Sequence, residues 1–275
     1  ADLELIGDRD AVRVTNPLQP EDAWLRTRLL PGLLDAAGRN ARRDVRSVAI
    51  FEVSNVFRLE AGGPREIPAI GILLTGVADG GWSGGERVHD VFDAKWIVEE
   101  LLDGLRIDWS LGESPGPPLH PGRSASVHAG GKAIGAFGEI HPEVAEAFDL
   151  SGRVAVAELD VEALMRLARD TFEVRDVPRF PPVRRDLAFV VDAAAPAGDV
   201  RTALEDAAGE LLDSATIFDV HTGPPLPEGK KSLAFSVDFR APDRTLTDAE
   251  ANQAVAAIVE RLTRDFGAEL RSGRA

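Results

Sequence analysis

The sequence predicts an α+β protein of two domains, each an antiparallel sheet with helices packed on it. In the first half, apolar strands follow one another closely, and one pair flanks Gly130-Gly131, a turn that joins antiparallel neighbours. In the second half the order is strand, helix, strand, strand, helix, strand. Between them, Val177-Pro178-Arg179-Phe180-Pro181-Pro182 sets three prolines within five positions, which forbids a helix and imposes an extended run. The junction is placed there, giving domains of residues 1–176 and 177–275. With 275 residues and 44% hydrophobic content, each domain has enough apolar residues for its own core.

In the first domain, Pro20 to about Asn40 shows helical spacing at Trp24, Leu25, Leu29, Leu33 and Ala36. Pro31-Gly32 interrupts it, so a broken or kinked helix is expected. Val48–Phe57 alternates with the period of a strand, and Ile67–Val77 is a second apolar strand. Val91–Leu105 repeats Phe92, Trp96, Leu101 and Leu105 on one helix face. Gly112–Gly122, rich in Gly and Pro, reads as a surface loop, and Ser124–Ala129 with Lys132–Gly138 forms the hairpin. A short helix after His141-Pro142, a strand at Val154–Leu159 and a helix at Val161–Ala168 complete this part.

The second domain places strands at Arg185–Val191, Ser214–His221, Lys231–Arg240 and Ala268–Ser272, with helices at Gly198–Ala208 and Thr247–Phe266. That is the βαββαβ order of the ferredoxin-like fold. Thr247 is an N-cap with Glu250 as its capping-box partner, and Gly267 stops the helix whose apolar face is Ala251, Val255, Ile258, Val259 and Leu262. Alternation along the strands assigns their faces. Leu187, Phe189, Val191, Phe218, Val220, Leu233, Phe235, Val237, Phe239 and Leu270 are expected under the helices. Ala188, Asp219, His221, Ser232, Ala234, Ser236, Asp238 and Arg271 are left on an open, small and polar face.

Composition excludes several kinds of chemistry. Without cysteine there is no disulfide framework and no thiolate site, and a reducing compartment is the default. No stretch approaches the ~18 apolar residues of a membrane span, and Ala1–Asp10 is not a signal peptide, so a cytoplasmic protein is expected. Because Ala1 precedes apolar residues at once, the chain is expected to begin inside a longer one. The five histidines match no ligand spacing, and no phosphate loop or nucleophile elbow occurs; no metal and no catalytic residue are expected. The net charge is −15, of which −11 falls on residues 1–176 and −4 on residues 177–275. Neither part is a nucleic-acid binder by bulk electrostatics. An open four-stranded face can still hold single-stranded RNA, but the usual stacking aromatics are expected on its covered side. Ordinary solvated sheet residues explain that face equally well from pattern alone.

The motifs Asn16-Pro17-Leu18, Leu25-Arg26-Thr27-Arg28-Leu29-Leu30-Pro31-Gly32-Leu33-Leu34, Phe51-Glu52-Val53, His120-Pro121-Gly122-Arg123-Ser124-Ala125 and Gly138-Glu139-Ile140-His141-Pro142 resemble the family of bacterial phenylalanyl-tRNA synthetase β subunits. Beyond the junction, Phe180-Pro181, Arg185-Asp186-Leu187-Ala188, Phe218-Asp219-Val220-His221 and Gly229-Lys230-Lys231-Ser232-Leu233-Ala234 are similar to that family's ferredoxin-fold anticodon-binding domain. The resemblance covers nearly the whole chain and implies a C-terminal fragment. It implies that the first domain is a non-catalytic, class II synthetase-like core that packs on the catalytic α subunit of an α₂β₂ assembly. Phe57-Arg58-Leu59-Glu60 spells the class II Phe-Arg-x-Glu pattern, in which Arg grips the ATP α-phosphate, but the remaining class II requirement has no match, so a vestigial role is expected.

The resemblance further implies that the second domain reads the anticodon of phenylalanine tRNA through Ala188, Asp219, His221, Ser232 and Arg271, with Tyr the family's usual ring at the position of His221. The full enzyme would use ATP and Mg²⁺; the fragment itself would need no cofactor and have no activity alone. The rival expectation is a free-standing ferredoxin-like interaction or small-ligand regulatory protein, because that fold hosts many functions. Trp24, Trp82 and Trp109 are candidates for a partner-covered patch.

Overall fold

The computed structural model describes residues 11–19, 23–78, 85–171 and 178–271. The chain divides into two units, Ala1–Phe172 and Glu173–Ala275. In the first, helix α1 (Leu30–Ala41) precedes a hairpin of β1 (Val48–Glu60) and β2 (Gly63–Thr75), then the short strands β3 (Val77–Ala78) and β4 (Arg87–Val88). Helix α2 (Val91–Gly104), β5 (Trp109–Gly112), β6 (Leu119–Ala129), β7 (Lys132–Ile140), α3 (Pro142–Ala147), β8 (Val154–Asp160) and α4 (Val161–Leu167) follow. Six strands form one antiparallel sheet in the order β1-β2-β8-β7-β6-β5.

Strand β8 shows why this sheet needs helices on both sides. Val154 and Val156 join a core with Leu30, Leu33 and Leu34 of α1, whereas Ala155, Ala157 and Leu159 join another with Ala94, Val98 and Leu102 of α2. A strand buried on both faces is apolar throughout rather than alternating.

Three expectations for the first unit are corrected. The helix is not kinked over Pro20–Asn40: it begins at Leu30 with Pro31 in its first turn, where the missing N–H costs nothing. Trp24 lies before it, in an isolated bridge with Arg13. The face of α2 is also different. Phe92 and Trp96 are 70% and 60% exposed, and Ala94, Val98 and Leu102 are buried instead. The helix carries two overlapping apolar stripes, and the one containing small Ala94 packs on the sheet, joined at its edges by Leu101 and Leu105. The end of the expected loop is β-structure, since β6 begins at Leu119.

In the second unit, β9 (Val183–Asp192), α5 (Ala197–Ala208), β10 (Leu212–Thr222), β11 (Lys230–Phe239), α6 (Asp248–Phe266) and β12 (Glu269–Leu270) give a sheet of order β10-β11-β9-β12. Phe189, Phe235 and Phe239 are fully buried against Val200, Leu204, Ile258 and Leu262 of the helices. Rings Phe189 and Phe235 meet edge to face at 6.4 Å. Thr247 and Glu250 form the capping box, and Gly267, at φ 59°, ends α6 in the left-handed region that glycine adopts without strain.

Candidate nucleic-acid interface

Strand register places the residues of the uncovered sheet face in two transverse rows. Ala234 on β11 stands opposite Asp219 on β10 and Ala188 on β9, and the Arg271 N–H donates to the Ala188 carbonyl at 2.8 Å. The neighbouring row runs His221, Ser232, Val190 and Glu269. All five expected residues therefore share one face, with Asp219 and Arg271 at opposite edges, roughly 14 Å apart at ~4.8 Å per strand. They address different parts of any bound molecule and cannot pair with each other.

The floor is made of small side chains. Ala234 and Ser232 are buried, Ser232 to 4%, and the Ser232 hydroxyl has no hydrogen-bond partner among the described residues. His221 stands beside it, its Nε2–H donating to the Pro224 carbonyl at 3.2 Å, so the ring is anchored by the loop after β10. Asp219 is exposed and makes no hydrogen bond or ion pair among the described residues. Asp238, on the same face, is already engaged: Arg184 reaches it through Nε and Nη2, both at 2.8 Å, and holds its carboxyl below the usual carboxylate range.

One face assignment is wrong. Phe218, expected under the helices, is 59% exposed and belongs to no core cluster, because a register shift between Ile217 and Asp219 makes it the extra residue of a β-bulge. Val220 and Leu270 pair with core residues Leu233 and Phe189 as expected, but lie at the sheet margins and are 53% and 41% exposed. Val190 and Glu269, left out of the expected face, lie on it as alternation from Ala188 and Arg271 requires. Most cations of this unit are occupied within the fold: Arg184, Arg185, Arg201, Lys230, Arg240, Arg244, Arg261 and Arg264 in ion pairs, Lys231 on the Ala193 carbonyl. Among the described residues of this unit, Arg179 and Arg271 are the two without such a partner.

In the first unit the recognisable motifs hold the fold. Arg26 straps its segment to β1 through the Asn55 carbonyl (2.9 Å), Glu52 (2.6 Å) and Ser54 (2.5 Å). Arg123 pairs at 2.5 Å with Glu139, which is 2% exposed, and His120 stacks on His141 at 6.2 Å. Gly138 is required because a Cβ there would lie 2.4 Å from that of Ser124. Arg58 and Arg28 line a cavity of about 390 Å³ with Glu158 and Asp160. Both carboxylates serve the fold: Glu158 accepts from the Leu29 N–H at 2.7 Å and Asp160 caps α4 at 2.9 Å. Among the described residues no cluster of histidines and carboxylates could hold a metal ion. Of the expected tryptophans, Trp24 lies under Arg13, half-buried Trp109 hydrogen-bonds Asp103, and Trp82 is outside the described residues.

Residues 2–161 match the family model of the phenylalanyl-tRNA synthetase beta chain CLM domain, more than half of the chain. The chain belongs to the phenylalanine–tRNA ligase β subunit family. Residues 178–271, which contain the two-row face, match the ferredoxin-fold anticodon-binding domain. The chain is 44% identical over 269 residues to the phenylalanine–tRNA ligase beta subunit of Symbiobacterium thermophilum and 43% over 268 residues to that of Moorella thermoacetica. The relative from Geobacillus kaustophilus is 37% identical over 267 residues. These alignments take in 95–96% of the chain and 30–33% of each relative, so the chain spans about a third of the length of these β subunits. No helix among the described residues is long and apolar enough to cross a membrane.

Proposed function

We propose that the second unit of this β-subunit chain recognises the anticodon of phenylalanine tRNA on its uncovered sheet face. The observation that carries the reading is Ser232: a hydroxyl without a protein partner on a largely buried residue, still reached by solvent, beside an anchored imidazole and one strand from an unpaired carboxylate. A hydroxyl with no protein partner is free to hydrogen-bond a ligand that takes the place of its water. A nucleobase laid over Ala188 and Ala234 would meet the backbone closely. Its edge N–H groups would donate to Asp219, the Ser232 hydroxyl would complete a second hydrogen bond, and His221 would stack on the ring. Arg271, at the far edge, would hold a neighbouring base or phosphate.

The first unit would dock on the catalytic α subunit within an α₂β₂ enzyme in the cytoplasm. Exposed Phe51, Phe92 and Trp96 support that role, since large apolar side chains left in solvent mark surfaces that partners cover. Phenylalanine activation with ATP and Mg²⁺ would then belong to the α subunit, and this chain would hold no cofactor and catalyse nothing alone. A free-standing regulatory role is disfavoured by membership in a β-subunit family over nearly the whole chain.

The test is fluorescence titration of a cognate anticodon stem-loop with the chain and its Asp219→Ala and Ser232→Ala variants. Loss of a charge-assisted hydrogen bond is worth about 1.5–3 kcal/mol, so Asp219→Ala should weaken binding roughly tenfold or more. Two variants that bind as tightly as the parent chain would refute the site.

A further inference from the structure

Phe218 is the feature of this sheet that neither its core nor the anticodon reading uses. Ile217 stands opposite Phe235 and packs in the core, while Asp219 stands opposite Ala234 on the other face. On a regular strand these two residues would share a side. The bulge absorbs the change of phase at Phe218 and turns its ring out of the core. Phe189, Phe235 and Phe239 in the same sheet are 0% exposed, against 59% for Phe218. A bulge that re-aims a side chain beside a binding face is a recurrent device of binding sites.

We propose that Phe218 is a stacking surface for a second nucleotide, adjacent to the base held over His221 and Ser232. The inference rests on the anticodon reading above and adds to it. Phe218 and His221 are three residues apart on β10, roughly 10 Å along the strand. One base cannot lie flat on both rings, so each ring serves its own nucleotide. Every base has a π-face, so a phenyl ring contributes affinity with little preference for sequence. Asp219 and Ser232 carry the discrimination, and Phe218 holds the neighbouring base splayed. The ring has no charge, so its contribution is independent of salt.

The experiment titrates the whole chain with the cognate anticodon stem-loop and with one carrying an altered anticodon, for the parent, Phe218→Ala, Phe218→Leu, Phe218→Trp and Asp219→Ala. Phe218→Ala should weaken both loops by a similar factor, roughly 5- to 100-fold for one lost stack. Its salt slope and melting temperature should stay those of the parent. Phe218→Trp should restore binding and Phe218→Leu should not, since a packing role would accept either. Asp219→Ala should instead remove the difference between the loops. If Phe218→Ala or Phe218→Leu binds within twofold of the parent while Asp219→Ala is impaired, the stacking role is overturned and the anticodon reading stands. If neither position matters, the anticodon reading itself fails and the stacking role with it.

Discussion

Replacing Asp93 with asparagine isolates a single charge at the start of α2. Asp93 accepts from the Asp90 N–H at 2.9 Å, and Asp90 in turn accepts from the Phe92 N–H at 2.9 Å, so the two close a capping box. Arg87 grips the same carboxylate through both terminal nitrogens, at 2.7 and 2.5 Å. Hydrogen bonding by Arg87, then by the Asp90 N–H, holds the Asp93 pKa at about 2 against an ordinary 3.8. Because the folded value is depressed, the unfolded chain takes up the proton first. The stabilisation is complete above about pH 4 and is lost as pH falls through 2. At 1.36 kcal/mol per pH unit the difference sets an upper bound of about 2.5 kcal/mol. The side chain of Asp93 is 13% exposed but that of Arg87 is 60%, and water around Arg87 screens the pair to about 1–2 kcal/mol. All four tryptophans lie in the first unit, so tryptophan fluorescence follows its unfolding without interference from the second. Asp93→Asn should lower the unfolding free energy by that amount at pH 6, with the gap to the parent closing between pH 4 and pH 2. A gap that persists at pH 2, or none at pH 6, would refute the reasoning.

Three further outcomes are expected. Phe235→Ala empties the centre of the second core, at a cost of about 3–5 kcal/mol; circular dichroism should show that unit melting early while the tryptophan transition stays in place. Phe92→Ala with Trp96→Ala should reduce co-purification with the catalytic α subunit and leave the melting temperature unchanged, because both rings are exposed. With Arg179 and Arg271 as the free cations among the described residues of the second unit, the logarithm of tRNA affinity should fall with the logarithm of salt at a slope of about −1.4 or shallower, about −0.7 per phosphate contact on a single strand. A slope steeper than −3 would show a phosphate grip that this chain does not supply.

The second unit was legible in the sequence because its local signals agree with its packing. Thr247, Glu250 and Gly267 mark the ends of α6, and alternation separates Leu187, Phe189 and Val191 from Ala188 without knowledge of the sheet. Alternation failed at Phe218 because a bulge is a property of two strands: the insertion exists only relative to the regular register of β11. Val190 and Glu269 were legible by the same alternation, two residues from Ala188 and Arg271, but an apolar side chain and a strand-end carboxylate drew no notice. In α2, two stripes satisfy the helical period, and the smaller Ala94 decides which approaches the sheet. Pro31 starts a helix as readily as it breaks one, and the sequence does not distinguish these until Arg26 is seen tied to β1.

The most direct test of the central claim is the ratio of dissociation constants for an altered and a cognate anticodon stem-loop, measured on this chain at one salt concentration. The anticodon reading predicts a ratio of roughly ten or more, set by the hydrogen bonds to Asp219 and Ser232. A ratio of one, with both loops bound, would contradict it.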